Sequence, residues 1–106
     1  MKALESYESY KTAIDSDEKV VIKFCAGWCP DCTVLNNFIP PILEKFEDTT
    51  FYELNRDEVE AAADENEVMG IPSLLVFKNG EKLAHLHSRD AKTPEQVDAF
   101  LSENLK

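Results

Sequence analysis

Two cysteines stand two residues apart in Trp28-Cys29-Pro30-Asp31-Cys32, directly after the apolar run Val20-Val21-Ile22-Lys23-Phe24. A continuous apolar run of that length reads as a strand buried on both faces. Pro30 suits a first helical position, and Asp31 complements the positive end of a helix dipole. Strand, tight turn and helix therefore meet at a thiol pair. A pair at this spacing can close a small disulfide and reopen it without unfolding the chain. The first thiol falls where helix N–H groups have no partner, which favours its thiolate.

A chain of 106 residues implies one domain, residues 1–106, with one core. The start, Met1-Lys2-Ala3-Leu4-Glu5, contains no apolar h-region, which predicts no secretory signal, and no run is long enough to span a bilayer. Three cysteines are an odd number and a poor disulfide framework. They predict a cytoplasmic setting, where a C-x-x-C pair means redox chemistry or metal binding. A net charge of −10 argues against nucleic acid and anionic membranes as partners and predicts a soluble monomer.

Hydrophobic periodicity orders the rest. Tyr7, Tyr10 and Ile14 predict a helix over 6–15, with too few residues before it for a full strand and turn. After the strand at 20–25, a helix should run from Pro30 to about Phe46 with an apolar stripe of Val34, Leu35, Phe38, Ile42, Leu43 and Phe46. Pro40 and Pro41 fall inside it, so a kink near Asn36 to Ile39, or two helices end to end, is expected. Thr50 to Leu54 reads as a strand, and Asp57-Glu58-Val59-Glu60 as a capping box opening a short acidic helix to about Asn66. Ser73 to Phe77 and Lys82 to His87 are strands joined by an Asn79-Gly80 hairpin turn. Thr93-Pro94-Glu95-Gln96 caps a last helix whose apolar face is Val97, Phe100, Leu101 and Leu105. Strands joined by helices should be parallel and the last two antiparallel, giving an α/β chain with helices on both faces of a small mixed sheet of about four strands.

Two blocks carry a resemblance. Val20 to Phe24 with the W-C-P-D-C segment, and Gly70-Ile71-Pro72-Ser73-Leu74-Leu75-Val76-Phe77-Lys78-Asn79-Gly80-Glu81, resemble the thioredoxin family, and the element order between them fits. The resemblance covers about Tyr7 to Leu105. The leading edge strand of the thioredoxin fold looks absent or reduced. Pro-Asp between the cysteines, where typical thioredoxins have Gly-Pro, looks like a thioredoxin-related branch. The resemblance implies that Cys29 is an exposed nucleophile and Cys32 a buried resolving thiol. It also implies that the Ile71–Pro72 bond is cis and faces the thiol pair, and that Trp28 flanks the site. Pro30, Asp31, Gly70, Ile71 and Pro72 would then border the substrate, with the backbone of Ile71 pairing with an extended segment.

Each residue has a competing reading. A zinc site wants four ligands, and beyond Cys29 and Cys32 only Cys25, His85 and His87 remain. With Cys25 the spacing becomes C-x3-C-x2-C, the signature of radical-SAM iron–sulfur enzymes, whose chemistry needs a far larger barrel. Cys25 itself is either a small apolar strand end or a third redox thiol. Asp31 either stabilises the helix start or, at about 6 Å with an effective dielectric near 40, raises the Cys29 pKa by about one unit. Lys23 interrupts a buried strand at a place where thioredoxins usually carry an aspartate, paired with a lysine on the next strand. Glu53 occupies that neighbouring position, so the charges look exchanged, and a Lys23–Glu53 pair beneath the thiols is expected because a bare buried charge is costly. The alternative is that both side chains snorkel to opposite surfaces. His85 and His87 read as surface residues, and Asp57 to Glu67 as a solvated helix face.

The sequence thus predicts a thiol–disulfide oxidoreductase that reduces protein or small-molecule disulfides, with Cys29, Cys32, Glu53 and Lys23 as catalytic groups. A reductase or small thiol would recharge it, and no cofactor or metal is needed. The rival is a binding module of the same fold whose thiols sense redox state without turnover.

Overall fold

The computed structural model describes all 106 residues. Its sheet has five strands in the order β1-β3-β2-β4-β5: β1 (Lys2–Leu4), β2 (Val20–Cys25), β3 (Thr50–Asn55), β4 (Ser73–Lys78) and β5 (Glu81–Leu86). Strands β1, β3 and β2 run parallel, and β4 and β5 run antiparallel to their neighbours. The sheet of about four strands therefore gains a fifth, the leading edge strand that was expected reduced or absent. The leading strand survives as three residues because Leu4 is buried and seats the segment against Leu54 of β3.

Side-chain alternation along β2 divides the core. Val20, Ile22 and Phe24 face α1 (Tyr7–Ile14) and α4 (Glu60–Glu65), in a cluster with Tyr10, Ile14, Leu54, Ala62, Ala63, Leu75 and Phe77. Val21 packs on the other face against Leu35, Ile39, Ile42, Val97 and Leu101, from α2 (Pro30–Phe38), α3 (Pro40–Leu43), α5 (Pro94–Leu105) and the Ile39 junction. Period two puts Lys23 and Cys25 on that same face, toward α2.

The proline break falls where expected. Helix α2 stops at Phe38, α3 begins at Pro40, and a 3₁₀ turn at Glu44–Phe46 completes the stretch. Val34 does not join the apolar stripe, since it is exposed, as is Tyr7 on α1. Asn79 and Gly80 both take positive φ, 53° and 81°, the tight hairpin turn the dipeptide favours. Their N–H groups donate to Ser16 O (2.7 Å) and Ile14 O (2.8 Å), which ties the hairpin to the end of α1.

The Thr93 capping box is present, with Gln96 N–H donating to Thr93 Oγ1 and Thr93 N–H donating to Gln96 Oε1. The box expected at Asp57 is not. Helix α4 starts at Glu60 with Val59 before it and no side-chain cap. Asp57 is engaged elsewhere: its N–H donates to Asn55 Oδ1, and its carboxylate accepts from Trp28 Nε1. The acidic segment is likewise not wholly solvated, because Glu65 accepts from the hydroxyls of Tyr7 (2.5 Å) and Tyr10 (2.8 Å).

Candidate active site

Cys29 caps α2. Its backbone is extended (φ −89°, ψ 110°), and its Sγ accepts the Cys32 N–H at 3.2 Å. This is a helix N-cap whose acceptor is sulfur, so the orphan N–H groups of the first turn converge on the thiol. The Cys29 S–H reaches toward Ile71 O at 3.8 Å, and the Ile71–Pro72 peptide bond is cis, as the resemblance implied. Cys29 is 5 % exposed and Cys32 2 %, so the expectation of an exposed nucleophile is corrected: the residue is buried at the floor of a groove. All three cysteines are free thiols.

The electrostatics also differ from the sequence expectation. Burial and the neighbouring Cys32 thiol push the Cys29 pKa up, against the opposing pull of the Cys32 and Asp31 N–H groups. Desolvation outweighs the helix end. The carboxylate of Asp31 has a partner of its own. It pairs with Lys92 Nζ at 2.7 Å, and Asp31 contributes to Cys29 through its backbone N–H.

The Cys25 thiol acts on the resolving thiol. Its interaction with Cys32, together with burial, holds Cys32 protonated well above the ordinary cysteine range. The same interaction, helped by the Lys23 charge against an opposing burial effect, lowers the Cys25 pKa. The sequence left Cys25 as either a small apolar strand end or a third redox thiol; strand alternation turns it toward the face that carries Cys32.

Lys23 and Glu53 are in register across β2 and β3, and their charged groups lie 3.4 Å apart. The pair is asymmetric. The Lys23 side chain is 5 % exposed and that of Glu53 44 %. Lys23 Nζ also donates to Asn36 Oδ1 on α2, a partner the sequence did not reveal. Glu53 borders a shallow cavity of about 230 Å³ with Cys25, Ala26, Leu54 and Asn55. The side chain that acts most on Cys32 is that of Cys25.

Above the thiols lies a groove of about 290 Å³ lined by Trp28, Cys29, Pro30, Asp31, Arg56, Met69, Gly70 and Ile71. Trp28 is 65 % exposed and is held by its bond to Asp57 at 2.7 Å. Met69 is exposed beside it, and Pro72 is buried beneath. A Cβ at Gly70 would stand 2.4 Å from Ser88 Oγ, so any larger residue there would force the Ser88 side chain to turn away. Arg56 and Met69 were missed because nothing in sequence spacing joins the end of β3 to the loop before β4. A larger cleft of about 570 Å³ between β1 and α1 holds no cysteine or histidine, so cleft size does not mark the chemistry. His85 and His87 stack at 3.8 Å between ring centroids, but His85 is half-buried rather than a surface residue, with Nε2 buried and unpartnered. No cluster of histidine, cysteine and carboxylate groups is arranged to hold a metal ion.

A mixed five-stranded sheet with a C-x-x-C pair at the start of a helix and a cis-proline loop against the first thiol defines a redox-active dithiol domain. The thioredoxin family model matches residues 2–103. The chain is 31% identical over 107 residues to a thioredoxin of Oryctolagus cuniculus, covering 99% of each chain. It is 31% identical over 103 residues to the mitochondrial thioredoxin-2 of Schizosaccharomyces pombe, covering 97% of this chain and 77% of that one. Among solved structures, a thioredoxin of Malassezia sympodialis superposes with a TM-score of 0.83 at 26% identity, covering 100% of this chain and 91% of that one. The chain belongs to the thioredoxin family and is a thiol–disulfide oxidoreductase. Family members act on disulfide substrates and draw electrons from a reductase. No helix is long and apolar enough to cross a membrane.

Proposed function

We propose that this chain is a single-domain, monomeric, cytoplasmic reductant of the W-C-P-D-C branch, with Cys29 as nucleophile and Cys32 as resolving thiol. The observation that carries the assignment is the Cys29 sulfur at the helix N-cap, 3.8 Å from Ile71 O and open to the Trp28–Met69 groove. Substrate lies along Gly70, Ile71 and Pro72, flanked by Trp28, Pro30 and Asp31. The Cys29 thiolate attacks one sulfur of the substrate disulfide. That S–S bond breaks, and the departing thiolate takes a proton. Cys32 then loses its proton, attacks Cys29 Sγ, and expels the second substrate thiol. Two electrons pass from the protein dithiol to the substrate disulfide.

Cys25 is the proton acceptor within reach of Cys32, and its own thiolate is favoured by that interaction and by Lys23. Glu53 shares the open cavity with Cys25 and provides the exit toward water. A reductase or a small thiol recharges the Cys29–Cys32 disulfide. The direction is reducing, because strongly oxidising dithiols depend on a greatly stabilised thiolate, and burial here works against one. A potential of about −200 to −270 mV is expected, measured by equilibration with glutathione.

Turnover of a peptide disulfide tests the roles. Cys29→Ser should abolish it, Cys32→Ser should trap substrate on Cys29, and Cys25→Ala should slow resolution while sparing the first attack. A mixed disulfide trapped on Cys25 would overturn the assignment, and a potential above about −150 mV would overturn the direction.

A further inference from the structure

We propose that Arg56 is a specificity-determining residue that selects peptide disulfides carrying a carboxylate beside the attacked half-cystine. The inference rests on the proposed reading that substrate occupies the groove over Cys29. It adds the chemical class of that substrate and a residue that recognises it.

Arg56 follows β3 directly, and its N–H donates to Cys25 O at 2.8 Å, so the backbone that carries it is fixed to the end of β2. Its side chain lines the same groove as Cys29, Asp31, Met69 and Ile71 and is the only cation there. The two acidic groups at that rim are already engaged. Asp31 is paired with Lys92 at 2.7 Å, and Asp57 accepts from Trp28 Nε1 at 2.7 Å. Arg56, by contrast, joins none of the five ion pairs of the chain. Its Nε is buried and has no hydrogen-bond partner. A guanidinium offers five donors in a planar fork matched to a carboxylate, and a buried donor without a partner is costly until one arrives. The groove is thus incomplete in a defined way: it lacks an anion beside the nucleophile.

The charge of the whole molecule sharpens the argument. With a net charge of −10, the long-range field repels an acidic peptide. A preference for acidic substrates must therefore come from a local contact, and Arg56 is the group placed to make it. Without Arg56 the preference should vanish or reverse.

The test uses two disulfide-linked peptide dimers that differ only in Glu or Gln next to the cysteine. The wild-type protein should reduce the Glu peptide with kcat/KM about five- to tenfold higher. Arg56→Ala and Arg56→Gln should bring that ratio to one or below, and Arg56→Lys should restore part of it. Equal rates on the two peptides in the wild type, or a Glu preference that survives in Arg56→Ala, overturn the proposal while leaving the reading of the groove intact. The S-methylated monomers of the same peptides provide a second arm that needs no redox step. Trp28 is the sole tryptophan and lines the groove, so its fluorescence reports their binding. If neither dimer is reduced, the reading of the groove as a disulfide site fails. Arg56 recognition then stands only if the S-methyl Glu peptide still binds about five- to tenfold more tightly than its Gln partner in a manner lost in Arg56→Ala. Equal binding, or none, overturns it.

Discussion

A lysine inside a buried strand forces its neighbourhood to answer it. The Lys23 ammonium is almost fully buried, and it meets both Glu53 at 3.4 Å and Asn36. Two partners change the energetics the sequence suggested. Removing the partner of a fully buried charge costs about 3–5 kcal/mol, but Glu53 is half in water and Asn36 remains when it is gone. Glu53→Gln should therefore lower stability by only about 1 kcal/mol, read from urea midpoints. Asn36→Ala should likewise cost only about 1 kcal/mol, because Asn36 is itself exposed and Glu53 remains to meet the ammonium. The double variant should lose more than the sum, since Lys23 is then stranded. Additive losses would show that the two partners do not share one charge.

Element ends decide how the site is held. Helix α2 begins at the nucleophile, and α5 begins directly after Lys92-Thr93, so the α5 capping box also positions the ion pair that engages Asp31. Thr93→Ala should cost about 1 kcal/mol of stability, the usual loss for an N-cap. It should also loosen the Lys92–Asp31 contact and slow Cys29 alkylation by freeing a negative charge near the thiol. An unchanged alkylation rate with reduced stability would separate the cap from the site. The α2–α3 break was legible because two adjacent prolines cannot continue a helix. The three-residue β1 was expected only as reduced or absent, since so short an edge strand has no periodicity and is held by its partner rather than by its own pattern.

At the scale of the whole molecule, acid should act through a histidine as well as through the carboxylates. His85 lies on β5 opposite Leu75, and burial, followed by the charges of His87 and Lys82, pulls its pKa from 6.5 down to about 4. Between those values the unfolded chain binds a proton that the folded chain does not, so stability falls as pH falls from about 6.5 toward about 4. Urea midpoints followed over that range should decline less steeply for His85→Gln than for the wild type. Parallel curves would remove His85 from the acid response. Glu65 acts at the acid end of that window and below it. Its pKa is lowered first by the Tyr7 hydroxyl, so the stability it contributes is present above the ordinary value of 4.5 and is lost as pH falls below it.

The thiol pair at a strand–helix seam, the proline break, the Asn79-Gly80 hairpin and the Lys23–Glu53 register were all readable from the chain, because each follows from local chemistry or from period-two alternation along a strand. Alternation even placed Cys25 and Lys23 on one face. What local pattern could not supply was which groups from distant segments meet and how much water they retain. Packing brought Cys25 to act on Cys32, took Asp31 to Lys92 and Asp57 to Trp28, and left Arg56 without a counter-ion in the groove. It also buried Cys29 deeply enough for desolvation to outweigh the helix end. Spacing along the chain gives residue types and faces, whereas pKa and partner choice depend on distance and burial in three dimensions.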